Sequence, residues 1–137
     1  MPPMLVMRTL HNTTMETRER IAVQAFSQGF ATTEHFDLLS YMMNLLLLAG
    51  STSKSRAYAS QYAETKIRPV LLNIQARHAK HGKLGVTAQE LTSLRELIDF
   101  SQQFWLRQPG ELFEVCCKEV DAFFKECAEK RATTNYQ

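Results

Sequence analysis

Two histidines stand three residues apart in this chain, at His78 and His81. On a helix that spacing puts both imidazoles on one face, where they could serve as two ligands of a zinc ion. The side chains that could add a third ligand, His11, His35 and the cysteines, are distant in sequence. Histidines in the last turn of a helix also interact favourably with the helix C-terminus without any metal. We therefore expect no metal site and no other cofactor.

The cysteines are the next candidates for chemistry, because a thiolate close to a histidine can act as a nucleophile. Cys116, Cys117 and Cys127 all fall in an apolar helical segment, where a free cysteine behaves as a small apolar side chain. The sequence has no G-x-S-x-G motif, no phosphate-binding glycine loop and no pair of carboxylates in an apolar setting. We expect no catalytic residue and a protein that is not an enzyme.

The same cysteines indicate in which cellular compartment the protein is expected. Their number is odd and two are adjacent, which is not a disulfide framework, so a reducing cytoplasm is expected. Met1 to Leu10 lacks the basic region and long apolar stretch of a signal peptide. The longest apolar run, Leu45–Ala49, is far below the roughly 20 residues that span a bilayer. We expect a cytoplasmic protein without a membrane partner.

Positive charge is concentrated in the middle of the chain. The net charge is +2, but residues 51–86 carry seven Lys or Arg and one Glu, a net of +6, whereas residues 87–137 carry six and nine, a net of −3. Such a local field favours nucleic acid or an acidic protein surface as partner. A weak helix-turn-helix pattern near Gly29 does not help, because its second helix is too apolar to lie in a DNA groove. The candidate basic partner-binding residues are Lys54, Arg56, Lys66, Arg68, Arg77, Lys80 and Lys83.

The last part of the chain holds more aromatic surface than a small bundle buries easily. An apolar face rimmed by acidic residues is typical of a protein interface, and the candidate apolar partner-binding residues are Trp105, Phe113, Phe123 and Phe124. Two alternatives stay open: the aromatic rings pack in the core, or they pair two copies of the chain in a homodimer.

These residues must be positioned by helices, because apolar residues recur at spacings of three and four and no strand-like alternation persists. Helix 1 is expected to begin at a Thr13–Glu16 capping box, with a core stripe of Ile21, Ala22, Ala25 and Phe26, and to stop at Gly29. Helix 2 begins after Thr32-Thr33 and ends at Gly50. It is apolar on every face, which predicts a central helix.

Helix 3 is expected to run to about His81 with a kink or break at Pro69. A second capping box, Thr87 to Glu90, begins helix 4, and Pro109 lies in the first turn of helix 5. The fold class is therefore all-α, a single-domain bundle of about five helices. We predict flexible tails at residues 1–12 and 132–137 around a bundle at 13–131.

Two segments carry a resemblance. One is Gly29-x-x-Thr32-x-Glu34-His35 followed by Leu39-x-x-x-Met43-Asn44-x-x-Leu47, and the other is His81-Gly82-Lys83-Leu84-Gly85-Val86-Thr87 with Leu94-Arg95-x-x-Ile98-Asp99. Together they resemble small helical proteins of unknown function carried on proteobacterial phages, plasmids and integrated elements, whose loop usually has an aromatic residue in place of Leu84. The resemblance covers roughly residues 15–110. It implies a setting, a mobile-element accessory gene, and assigns no activity or site residue.

The sequence therefore predicts a non-enzymatic protein-interaction module of a mobile genetic element. It would dock on a host or element protein complex, and in that setting an inhibitor of a host defence complex, of the anti-CRISPR kind, is one specific form. The alternative is a DNA- or RNA-binding regulator that uses the basic residues from Lys54 to Lys83.

Overall fold

The computed structural model describes residues 3–135, with side chains from residue 15 to residue 130. Within this part the chain forms five helices and no strand, which confirms the all-α bundle. Helix α1 is Pro3–Gln28, α2 is Thr33–Gly50, α4 is Ala88–Leu106 and α5 is Gly110–Asn135. Helix α3 has three consecutive segments, Ala57–Tyr62, Ala63–Ile67 and Arg68–His81, and follows a short 3-10 turn at Lys54–Arg56.

Both terminal helices are longer than the sequence predicted. Helix α1 begins at Pro3 and runs through Thr13, because proline is tolerated in a first turn and no glycine or further proline follows before Gly29. The side chain of Thr13, and with it the predicted capping box, lies outside the described residues. Helix α5 continues to Asn135. The flexibility of residues 1–12 and 132–137 stays a prediction.

The predicted helix ends are otherwise built by the expected residues. Gly29 has φ 80°, and the N–H groups of Gly29 and Phe30 donate to the carbonyls of Phe26 and Ala25 at 3.3 Å and 3.0 Å. This 5→2 and 6→1 pair is a Schellman motif. Gly82 closes α3 in the same left-handed region, with φ 76°. Because these conformations strain other residues, both glycines separate consecutive helices at defined points.

Helix α2 is the centre of the bundle, as its apolar sequence predicted. It contacts α1, α3, α4 and α5, and its buried side chains are Leu39, Met42, Met43, Leu45, Leu46 and Ala49. Asn44, a polar residue within that run, donates through its side-chain amide to the backbone carbonyl of Ser40 at 2.8 Å. The amide is therefore satisfied within its own helix.

Helix α3 passes close to α2 and changes its hydrogen-bonding pattern once. A Cβ added at Gly50 would collide with the backbone nitrogen of Ser60, so the two helices meet where only glycine fits. One π-helical turn at Ala63–Ile67 precedes Pro69, which lies in the first turn of the segment Arg68–His81. Proline lacks the N–H that the α-helical ladder needs and crowds the carbonyl one turn back, and the wider turn absorbs both. The sequence predicted a kink or a break at Pro69, and the structure has a change in helical hydrogen bonding just before it, within a continuous helical run.

The predicted core stripe of α1 is confirmed except for one residue. Ala22, Ala25 and Phe26 are buried, but Ile21 is 56% exposed. At about 100° per residue Ile21 points away from that stripe, and the core side of α1 is completed by Val23 and Glu19. Leu106 at the end of α4 is exposed too, while its neighbours Phe104 and Trp105 are buried. None of the described helices is long and apolar enough to cross a bilayer.

Candidate interaction surfaces

The three arginines of the predicted basic set are held by partners within the chain. Arg56 is half-buried and donates through Nε to Gln108 Oε1 at 2.8 Å, which ties the start of α3 to the turn between α4 and α5. Arg68 forms an exposed ion pair with Glu64 at 2.8 Å, one turn earlier on α3. Arg77 pairs with the buried carboxylate of Glu90. Arg56 and Arg77 therefore join separate elements of the fold.

The Arg77 contact is part of the capping box that begins α4. Glu90 Oε1 accepts from the Thr87 backbone N–H at 2.9 Å, and the Glu90 N–H donates to Thr87 Oγ1 at 3.1 Å. The same oxygen accepts from Arg77 Nη2. One carboxylate thus closes the helix terminus and neutralises a cation from the preceding helix. The predicted capping box is confirmed. Because Glu90 also neutralises Arg77, this arginine does not contribute a free positive charge to the surface.

The four lysines of the set, Lys54, Lys66, Lys80 and Lys83, are exposed. They do not form one continuous stripe with the arginines. Arg68 and Arg77 are nine residues apart on one helical segment, about two and a half turns, so they point to opposite sides of α3. A protein that follows a phosphate backbone needs its cations along one track. Arg68 accordingly lies off the face of α3 that carries Arg77.

The four predicted aromatic residues divide into two pairs. Trp105 and Phe113 are each only 7% exposed and meet edge to face, with ring centroids 5.0 Å apart. They are core side chains that join α4 to α5, which corrects their assignment as partner-binding residues. Phe123 and Phe124 are 56% and 37% exposed and lie edge to face at 5.9 Å. Only this second pair is accessible to a partner.

Phe124 lies against Tyr41 of α2, with ring centroids 6.3 Å apart. A groove of about 420 Å³ beside these rings is lined by Asp37 and Asp121 on its polar side and by Cys127 and Ala128 on α5. We call the set Asp37, Tyr41, Asp121, Phe123 and Phe124 the aromatic–acidic surface. It combines exposed rings with two carboxylates and contains no cation.

Burial raises the pKa values of the titratable groups beside this surface. It raises the pKa of Tyr41 far above its ordinary range, with Cys117 and Asp121 adding to the effect. Burial likewise raises the pKa of Cys116 to about 11, and it raises the pKa of Cys117. These two thiols are therefore neutral at physiological pH, and a neutral thiol is a poor nucleophile and metal ligand. Cys116 packs as an apolar side chain.

The structure also shows where the histidines considered as metal ligands lie. His35 accepts the Thr32 backbone N–H through Nδ1 at 2.9 Å, so it helps to cap α2. His78 and His81 lie in the last turn of α3. Among the residues whose side chains are described, no three His, Cys, Asp or Glu residues are close enough together to hold a metal ion. His11 lies outside those residues.

Comparisons of the chain with models of protein families, with curated proteins and with solved structures give no match. The resemblance to mobile-element proteins thus stays a prediction. Sequence reasoning missed Tyr41, which it assigned to the core, and Asp37, one turn before it. It also missed Glu19, whose signal was present: Glu19 stands three and four residues before Ala22 and Val23, on the buried side of α1.

Proposed function

We propose that this chain is a non-enzymatic docking module that binds a partner protein through the aromatic–acidic surface of α2 and α5. The observation that carries the proposal is the exposed pair Phe123 and Phe124, which extends the Tyr41 ring into one surface of three aromatic side chains beside a groove. Aromatic side chains dominate interface energies because they bury a large area with few rotatable bonds.

The expected occupant is a basic amphipathic helix of the partner. Asp37 and Asp121 flank the groove, and Glu119 and Glu126 are exposed on the Phe123 side of α5. Carboxylates around an apolar centre attract a segment that presents Lys or Arg beside apolar side chains. The groove of about 420 Å³ accepts one or two such side chains, and the exposed rings cover the rest.

The direct test is a peptide-binding measurement. A fluorescein-labelled amphipathic helical peptide of leucine and lysine is titrated with the protein, and its anisotropy is recorded. We expect binding that Phe123→Ala/Phe124→Ala weakens at least tenfold, whereas a leucine–glutamate peptide of equal length does not bind. Val115→Ala is the matched control, because Val115 is 52% exposed on the same helix but outside the surface.

Circular dichroism of the double variant separates loss of the surface from loss of the fold. If the double variant keeps both its helical signal and its peptide affinity, the aromatic–acidic surface does not bind the peptide. An equal loss in Val115→Ala would show that peptide binding is not specific. A dimer that the double substitution dissociates, measured by light scattering, would make the occupant a second copy of this chain.

The sequence resemblance suggests one specific form of this docking. The protein would be encoded on a mobile element and would inhibit a host defence complex by binding to it. A basic segment on that complex would meet the requirement of the acidic groove. Capture from a nuclease-treated cell lysate tests this form. A protein complex retained by the wild type and by Val115→Ala, but not by the double variant, supports it.

A nucleic-acid-binding regulator is the second candidate, favoured by the exposure of Lys54, Lys66, Lys80 and Lys83. It predicts affinity for DNA or RNA that falls steeply with salt concentration and weakens in Lys80→Gln/Lys83→Gln. No binding at low ionic strength, or binding that ignores these substitutions, would reject it.

A further inference from the structure

A second feature, separate from the aromatic–acidic surface, lies about one turn further along α2. A cavity of about 230 Å³ opens between α1, α4 and α5, and Leu45 of α2 forms part of its wall. Trp105 and Phe113 supply its aromatic walls, and Glu19 and Gln102 supply polar groups. A dry cavity of about 150 Å³ is known to take up benzene, so this one has room for a single ring with a short substituent.

The carboxylate of Glu19 is the unusual group in this cavity. The residue is 6% exposed, and it makes no ion pair with any described residue. Its sequence neighbour Arg20 is directed elsewhere, to Glu16 Oε1 at 3.5 Å and to Gln102 Oε1 at 3.3 Å. A buried carboxylate without a cation is costly, and proteins retain few of them. Glu19 is thus an acceptor that a ligand could satisfy.

Two neighbours define what such a ligand would carry. Glu16 adds a second carboxylate to the lining, so the polar end of the cavity is acidic and favours positive charge. Gln102 accepts from Arg20 through Oε1, and its buried Nε2, which has no acceptor among the described residues, would donate to an acceptor atom of a ligand and not to an ammonium group. The remaining lining is largely apolar, and aromatic faces attract organic cations.

We propose that this cavity binds a small organic ammonium ion carrying one aromatic ring, with Glu19 as the counter-ion. The ring packs beside the Trp105–Phe113 pair, against the apolar lining of the cavity, and the ammonium group donates to the Glu19 carboxylate. Burial also raises the pKa of Glu19 to about 7, helped by Glu16 and opposed by Arg20, so a bound cation would favour its ionised form.

The chain carries its own reporter, because Trp105 is its single tryptophan and lines the cavity. Three probes of similar shape are titrated at about pH 8 and the Trp105 emission is followed: benzylamine, benzyl alcohol and benzoate. We expect a saturable change with benzylamine, at least tenfold weaker binding of benzyl alcohol, and none of benzoate. These probes differ in charge at the same position, so the wild type alone tests the preference for a cation.

Glu19→Gln tests the assignment of the counter-ion. The amide has nearly the shape of the carboxyl group, so the fold and the aromatic walls are retained, and the benzylamine preference over benzyl alcohol is expected to vanish. Glu34→Gln, an exposed carboxylate at the start of α2, is the matched control and should keep the preference. The proposal is overturned if no probe saturates, if benzylamine and benzyl alcohol bind equally, or if Glu19→Gln keeps the preference.

Discussion

Glu19 makes the stability of this bundle depend on pH in a direction opposite to that of most carboxylates. Burial, reinforced by Glu16 and only partly offset by Arg20, raises the pKa of Glu19 from 4.5 to about 7. Among the described residues, Glu16 is the only other titratable group that lines the cavity, since α2, α4 and α5 contribute Leu45, Ser101, Gln102, Trp105, Leu106 and Phe113. The folded state therefore binds a proton at Glu19 more tightly than the unfolded state does.

The sign and size of the effect follow from linkage. A group whose folded pKa is raised contributes stability that is fully present below the unfolded value, about 4.5, and is lost as the pH rises through about 7. Integrating between about pH 5 and pH 8 gives a loss of about 2–3 kcal/mol from this one group. That is a sizeable part of the total stability of a domain of this size.

The assay is urea unfolding, followed by circular dichroism, of the wild type and Glu19→Gln at several pH values. The variant cannot ionise, so its free energy of unfolding should match the wild type near pH 5 and exceed it by about 2–3 kcal/mol near pH 8. Glu34→Gln is the control. It removes an exposed carboxylate at the start of α2, outside the cavity lining, and should change stability by less than about 1 kcal/mol at either pH. Parallel pH profiles of the wild type and Glu19→Gln would refute the reasoning.

Three further outcomes are expected. Gly50→Ala should lower the free energy of unfolding by about 1–3 kcal/mol, because its Cβ would overlap the backbone of Ser60; a neutral effect in urea titration would show that α2 and α3 separate easily. Glu90→Ala removes the cap of α4 and the partner of Arg77, so we expect a loss of about 2–4 kcal/mol in the same assay, and a loss below 1 kcal/mol would argue against a structural role for the pair. Cys116 is 1% exposed with a raised pKa, so iodoacetamide should label it only on unfolding; rapid native labelling, located by peptide mass spectrometry, would contradict its burial.

The sequence predicted most of the architecture because its local signals agree with one another. Gly29 and Gly82 end helices, and the Thr87–Glu90 capping box begins one. The apolar pattern of α2 identified the central helix. Each signal acts within one or two turns, so it can be read without knowledge of the tertiary fold. The break before Pro69 was predicted for the same reason, although nothing local specified that a π-helical turn would accommodate it.

The interaction surfaces could be predicted only in part, because charge and exposure depend on neighbours from other helices. The sequence shows that Arg77 is basic, but its partner Glu90 belongs to the next helix, across a loop. Likewise Trp105 and Phe113 bury each other only because α4 and α5 pack together at that level. A count of cations or aromatic rings in a segment therefore overestimates the surface that a partner can reach.

The end of α5 shows why periodicity alone cannot separate core from surface. Phe113, Cys116 and Val120 are buried, and Phe124 continues on the same face yet is 37% exposed. The two helices run antiparallel, since Phe113 shares a cavity with Leu45 and Phe124 lies at Tyr41. Helix α2 begins at Thr33, about two turns before Tyr41. The apolar stripe of α5 therefore approaches the N-terminus of α2 beyond Phe124. What lies opposite each position of the stripe on the neighbouring helices, rather than the sequence of α5 alone, therefore decides which of its rings are buried.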